Sequence, residues 1–302
     1  MYLCYMIRIS LVIATYNRAE QLMTTLESVV GQSFDSQRWE CVVVDNNSSD
    51  STRERIEAFV RDHATQNFRY VFEPEQGLSA ARNAGIRASR GEIIAFIDDD
   101  ERIVEGFLEA YVDLFDSRKE AMVAGGCIIA EYPAGRPSWM SRYTEQPIAN
   151  PMDFGPRVRL FPKGKIPGGG NMAVRREALD RVGVFDTSLG RTGKRLIGGE
   201  ESDLFERMAK EGIDPYYVPR AVMYHIIPEE KLTKEYFTRL CFNTGVSQLR
   251  RAELRGRRMR LYIGEAIKWC ATLVLCLVHR PEQSHYLLVM RREITRGIIT
   301  GQ

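Results

Sequence analysis

Short apolar runs alternate with stretches of helical apolar spacing through the first half of the chain. Residues 7–14, IRISLVIA, read as a strand that turns at 15–18, after which Leu22, Leu26 and Val29/Val30 share one helical face. Residues 39–45, WECVVVD, predict a second strand ending in an acid. Ser51 with Glu54 three positions later predicts a capping box, opening a helix with Ile56, Phe59 and Val60 inward. Residues 68–72 predict a third strand, and 73–91 a loop and a helix running into Gly91. The centre of the pattern is 92–101, EIIAFIDDDE: a short, β-branched run that reads as a buried parallel strand and meets Asp98, Asp99 and Asp100 without an intervening turn residue. A helix over about 104–117 follows. This alternation predicts an α/β fold with a mainly parallel sheet flanked by helices.

The second half is less regular. Residues 121–130 are strand-like, and 131–167, rich in Pro, Gly and aromatics, are expected to wrap the surface. Residues 166–179 read as a glycine turn, a short strand and a helix, and 186–199 as a loop of lid type. A helix over 200–212 precedes two short strands, 215–218 and 221–225, and from Lys231 onward the spacing is helical. The chain divides on this reading into 1–228, a catalytic domain, and 229–302, a C-terminal helical extension.

Composition changes this picture little. The 302 residues suffice for a full core, and a net charge of only +2 gives no global field for nucleic acid. The six cysteines are scattered without a close CxxC pair, which indicates neither zinc nor a disulfide framework and fits a reducing compartment. The N-terminus lacks a long apolar run, so no signal peptide is expected.

The polar residues gather at strand ends, where open α/β sheets bind ligands. Three adjacent carboxylates at 98–100 suit a divalent cation on a phosphate-bearing substrate, or a solvated acidic turn. Asp45 is placed to accept from a nucleobase or ribose, or to close its own turn. Arg82 is suited to a phosphate, although an arginine on a helix is commonly solvated. Gly168, Gly169 and Gly170 allow close backbone approach or a hairpin turn, and no GK[ST] follows to make a phosphate loop. Glu200, Glu201 and Asp203 open a helix, where acids complement the dipole; one of them is also a candidate general base. His225 closes a strand as a metal ligand, a phosphate contact or a core histidine.

In this order ISLVIATYNR, CVVVDNNSSDST, GLSAARNAGI, EIIAFIDDDE, GGGNMAVRREAL, GVFD, GGEESDLFERM and AVMYH resemble a family 2 glycosyltransferase of the GT-A, Rossmann-like fold, over roughly residues 7–228. The resemblance implies an inverting enzyme with a UDP- or GDP-sugar donor, Mg²⁺ or Mn²⁺, and a carbohydrate or lipid-linked acceptor. By position, Thr15 and Asp45 would line the nucleobase pocket with Tyr16 and Arg18 nearby, and Arg82 would sit beside ribose or diphosphate. Asp98 and Asp100 form the D-x-D pair, Asp99 supports it or meets the ribose, and Glu201 stands where the family carries its base aspartate. Arg191, Lys194 and Arg195 would add positive charge from the loop. A sugar nucleotidyltransferase would need a glycine-rich basic first loop, and ATYNR stands there instead. A non-catalytic sugar-nucleotide-binding protein would most naturally have lost one of the two carboxylate sites, and both are populated.

The basic stretch 249–260 precedes an apolar run at 269–278, about half of the ~20 residues a bilayer span needs. Glu265 and Lys268 interrupt the segment before it. The tail is therefore expected to pack as a buried or dimerising helix, or to lie on the cytoplasmic membrane face as an interfacial one. A cytoplasmic protein, peripheral on that face, is the expected localisation.

Overall fold

The computed structural model describes residues 6–190 and 198–301. Its described parts of 1–129, 152–193 and 200–225 form one compact unit, and those of 130–151, 194–199 and 226–302 a second. In chain order the strands are β1 (Ile9–Thr15), β2 (Trp39–Asp45), β3 (Phe68–Phe72), β4 (Ile93–Asp98), β5 (Glu101–Ile103), β6 (Val123–Glu131), β7 (Arg159–Leu160), β8 (Met172–Arg175) and β9 (Tyr216–Ile226). The helices are α1 (Ala19–Val30), α2 (Thr52–Asp62), α3 (Leu78–Ala88), α4 (Phe107–Ser117), α5 (Arg142–Ala149), α6 (Arg176–Val182), α7 (Glu200–Lys210), α8 (Lys234–Leu254), α9 (Arg258–Cys276) and α10 (Pro281–Thr300).

The strands form one sheet in the order β3-β2-β1-β4-β8-β6-β9-β5, with β7 added on β9. Pairing is parallel from β3 through β4 and antiparallel where β8 meets β4 and β6. Side chains alternate across the sheet with period two. Ile9, Leu11, Ile13, Ile93, Ala95 and Ile97 pack into one core with α1, α2 and α4. Val12, Ile94 and Phe96 pack into the other with α3, α6 and α7. Burial on both faces explains why β1, β2 and β4 read as continuous apolar runs. Their register, Thr15 beside Asp45 and Ala14 beside Asp98, brings the polar C-terminal ends to one edge.

Three details differ from the sequence expectations. Ser51 makes no side-chain cap; Asp50 instead accepts from the Thr52 backbone N–H at 3.0 Å, a turn bond that satisfies an early helical donor. Residues 142–149, expected as irregular surface, form α5 behind a capping box of Ser141 and Thr144. The two short strands expected at 215–225 are one, β9. Pro219 lies between Tyr216–Tyr217, which pair with β7, and Met223–His225, which pair with β5, so its missing N–H falls between the two partners.

In the second unit α8 and α10 cross closely at glycines. A Cβ on Gly245 would stand 2.1 Å from the Ile294 carbonyl, and one on Gly297 2.1 Å from that of Phe242. Around them Trp139, Phe237, Leu240, Tyr286, Leu287 and Ile294 form a separate core. Among the described residues no helix is long and apolar enough to cross a membrane.

Candidate active site

The apolar grip on β4 fixes where the acids can go. Asp98 ends the strand, half-exposed, while Asp99, Asp100 and Glu101 are buried in the turn into β5. Thr15, at the end of neighbouring β1, donates Oγ1 to Asp99 Oδ2 at 2.7 Å. Arg18 bridges Asp99 Oδ1 at 2.9 Å and Asp100 Oδ2 at 3.1 Å. Burial pushes the Asp99 carboxyl up to about 6, against the attraction of Arg18 and with repulsion from Asp100. One arginine thus holds together two carboxylates that would otherwise repel.

Glu101 is a participant that sequence reasoning passed over as the tail of the acidic run. Its Oε2 accepts the Asp98 backbone N–H at 2.7 Å. Burial, and then the charges of Asp98 and Asp100, hold it well above the usual carboxylate range. Glu101 thus buttresses the turn from a buried position behind Asp98. In register it faces His225 across the β5–β9 pair.

Arg82, on α3, is 2% exposed and joins the two acidic segments. Its Nη2 donates to Asp98 Oδ1 at 3.0 Å, and its Nη1 to Glu201 Oε1 at 2.9 Å and Glu200 Oε1 at 3.3 Å. Burial works against its charge, but Asp98, Glu201 and Glu200 outweigh burial and lift it above the ordinary arginine range. The solvated-face reading of this residue is therefore wrong, because its helix is buried along nearly its whole length.

The first turn of α7 holds two glutamates in different states. Burial, then the charge of Glu201, pushes Glu200 up to about 8, so it is protonated at neutral pH. Its Oε2 is buried without a hydrogen-bond partner. Burial acts the same way on Glu201, but Arg82 and a hydrogen bond from Glu200 outweigh it and hold Glu201 below the usual range. The side chain of Glu201 is 23% exposed against 3% for Glu200. Glu201 is the ionised, accessible member of the pair. Asp203 lies further along α7 and accepts from Arg207 Nε at 2.8 Å, and Arg207 in turn caps the carbonyls of Val182, Gly183 and Val184.

The glycine run is a turn, closed by the Asn171 N–H to the Gly168 carbonyl at 3.0 Å. It also makes room for the acids. A Cβ on Gly169 would stand 2.0 Å from Glu201 Oε1, and one on Gly170 2.1 Å from Glu101 Oε1.

Asp45 sits at the end of β2 with both oxygens engaged, by the Ser48 N–H at 2.9 Å and the Tyr70 hydroxyl at 3.1 Å. Tyr16, which follows Thr15, the register partner of Asp45, is exposed. His225 Nε2 lies 3.8 Å from Asp100 Oδ1. Among the described residues no three His, Cys, Asp or Glu side chains gather as a metal cluster. Asp100 with His225, and the half-exposed Asp98, nevertheless offer a hard-oxygen and imidazole donor set that suits a divalent ion completing its shell with phosphate oxygens. Arg191, Lys194 and Arg195 lie outside the described residues.

Comparison with known proteins bears on the family and the fold. Residues 10–183 match the model of glycosyl transferase family 2. The chain is 28% identical to the succinoglycan biosynthesis protein ExoM of Rhizobium meliloti, over 98% of this chain and 93% of that protein. In structure it resembles a mannosyltransferase, PcManGT from Pyrobaculum calidifontis, solved with GDP-Man and Mn²⁺, with a TM-score of 0.66 at 17% identity over 97% of this chain and 86% of that one. It also resembles residues 1–349 of TarS from S. aureus, solved with UDP-GlcNAc, with a TM-score of 0.58 at 18% identity over 80% of this chain and 66% of that one.

Proposed function

We propose that this chain, which belongs to glycosyl transferase family 2, moves a sugar from a nucleotide-diphosphate donor to an acceptor hydroxyl with inversion at the anomeric carbon. The observation that carries the reading is the Arg82 bridge, which sets an ionised Glu201 opposite Asp98 at the ligand edge of the sheet. Glu201 takes the proton of the acceptor hydroxyl as its oxygen attacks the anomeric carbon. The bond to the donor's diphosphate breaks on the opposite face, and the nucleoside diphosphate leaves with the electron pair. Glu200 keeps its proton, so the negative charge of the pair rests on Glu201, which Arg82 holds in place. Arg82 lies where it can turn toward the leaving diphosphate as negative charge develops there.

Thr15, Tyr16 and Asp45 would form the nucleobase side, with Arg18 and Asp99 fixing the turn beneath the diphosphate. Asp98, Asp100 and His225 would hold Mg²⁺ or Mn²⁺. Bound there, the ion supplies Lewis-acid neutralisation of the diphosphate. A carbohydrate or lipid-linked acceptor, and a product that is a surface polysaccharide or another glycoconjugate, fit the likeness to ExoM.

The test is a panel of UDP- and GDP-sugars with the purified chain, with and without Mn²⁺, read by binding and by nucleoside diphosphate release. One donor is expected to bind and be consumed in a metal-dependent way, and Asp100→Asn is expected to lose the metal-dependent part of binding. Binding of no donor sinks the reading.

A further inference from the structure

Helix α9 turns a row of large apolar side chains to solvent. Met259, Tyr262, Ile263, Ile267, Leu273 and Val274 are each between 44% and 70% exposed. At 100° per residue they fall within a stripe roughly 140° wide. Leu277 and Val278, in the closing turn, extend the row and are more exposed still. The inward side is mixed: Leu261, Leu275 and Cys276 pack against the core of this unit, and the helix's two fully buried residues, Glu265 and Thr272, are polar. Glu265 accepts twice from Arg291 Nη1 at 3.0 Å and once from Thr295 Oγ1 at 2.8 Å, and Trp269 Nε1 donates to the same threonine oxygen at 2.9 Å. A helix already held to its neighbours on its inward side, with a second apolar row in water, leaves that row for another occupant.

Charge selects the occupant. Residues 255–280 hold Arg255, Arg257, Arg258, Arg260, Lys268 and Arg280, while their one acid, Glu265, is buried against Arg291. Over 229–302 there are 14 Lys and Arg against 7 Asp and Glu, a net of +7 in a chain whose total is +2. A second copy seated stripe on stripe would bring arginines against arginines in either direction, because both ends of the stripe are basic. An anionic bilayer offers apolar depth to the row and negative headgroups to the flanks.

We propose that α9 docks on an anionic phospholipid surface, lying in the interface with Met259, Ile263, Ile267 and Val274 entering the acyl boundary and the flanking arginines on the headgroups. The proposal does not depend on the transfer chemistry. Its test is flotation of the full chain with phosphatidylcholine vesicles with and without phosphatidylglycerol, at low and high salt. The wild type is expected to float with the anionic vesicles at low salt and to lose much of that binding at high salt. Ile263→Glu/Ile267→Glu/Val274→Glu changes only exposed positions and is expected to cut flotation roughly tenfold or more, with an unchanged helical circular-dichroism spectrum and Tm. Arg260→Glu/Arg280→Glu is expected to lower binding several-fold and flatten its salt dependence. Failure of the wild type to float, or equal flotation of a folded triple variant, overturns the proposal. So does light scattering that shows a lipid-free dimer dispersed by the triple change together with no vesicle binding; that would assign the stripe to a second copy. Unchanged donor consumption by the triple variant keeps this result separate from that of the transferase test.

Discussion

Two buried arginines organise the two units of this molecule, and they do so in opposite ways. Arg291, in α10, meets Glu265 at 3.0 Å through both carboxylate oxygens, and each side chain is at most 10% exposed. Lys268 stands 3.9 Å from the same carboxylate, so the charge of Glu265 is fully met, although Arg291 Nε is left without a hydrogen-bond partner. Arg82 meets three carboxylates, two of them partly open to solvent. There the charges do not balance and one side is open. A balanced ion pair locks two helices together; an unbalanced, accessible cluster is poised to exchange protons and take up a cation or a charged substrate.

The sharpest way to break this comparison is at the base. Glu201→Gln keeps the size of the side chain and one oxygen to accept from Arg82 but removes the charge and the proton acceptor. It is expected to retain donor binding and to lose about 10²–10⁴-fold in transfer rate. Full transfer by this variant would move the base to another group. The next effect is on stability. Arg291→Met leaves buried Glu265 with only the half-exposed Lys268, at 3.9 Å, to offset its charge and is expected to cost up to about 3–5 kcal/mol in urea unfolding, whereas Arg291→Met with Glu265→Met is expected to recover most of that loss. At the other arginine, Arg82→Met with Glu201→Met should not recover, because Asp98 and Glu200 remain. Equal rescue at both places would erase the distinction between a staple and a site.

The elements that place the site were readable because a strand buried on both faces has little choice of residues. The predicted strands at 39–45 and 68–72 coincide with β2 and β3, and the apolar run of 93–97 lies within β4. Their acidic ends could be placed at one edge for the same reason. The partners of those acids could not be read. Arg82 looked like any helix arginine until α3 proved buried, and Glu101 looked like one more acid of a solvated turn until its carboxyl proved to sit behind Asp98. Both roles are set by contacts between residues distant in sequence or by the tertiary fold around the turn. Helix α9 shows a different limit: its apolar period was visible, but period alone does not say which face turns inward. There the buried Glu265–Arg291 pair decides.

The smallest expected effect tests the proton on Glu200. Folding lifts this carboxyl to about 8 from an ordinary 4.5, chiefly by burial. Between those values the folded protein holds a proton that the unfolded chain has released. The resulting stability is fully present below about 4.5 and is lost as pH rises through about 8. Glu201 has the opposite sense: its depressed value gives stability above the unfolded value, lost as pH falls through the folded one. Glu200→Gln mimics the protonated acid and removes only the first of these. From about pH 5 to about pH 9 the wild-type Tm should therefore fall relative to that of the variant, by on the order of a few °C. Parallel curves would mean that Glu200 is already ionised in the folded protein. The difference in protonation that marks Glu201 as the base would then be gone, and either glutamate could take the acceptor's proton.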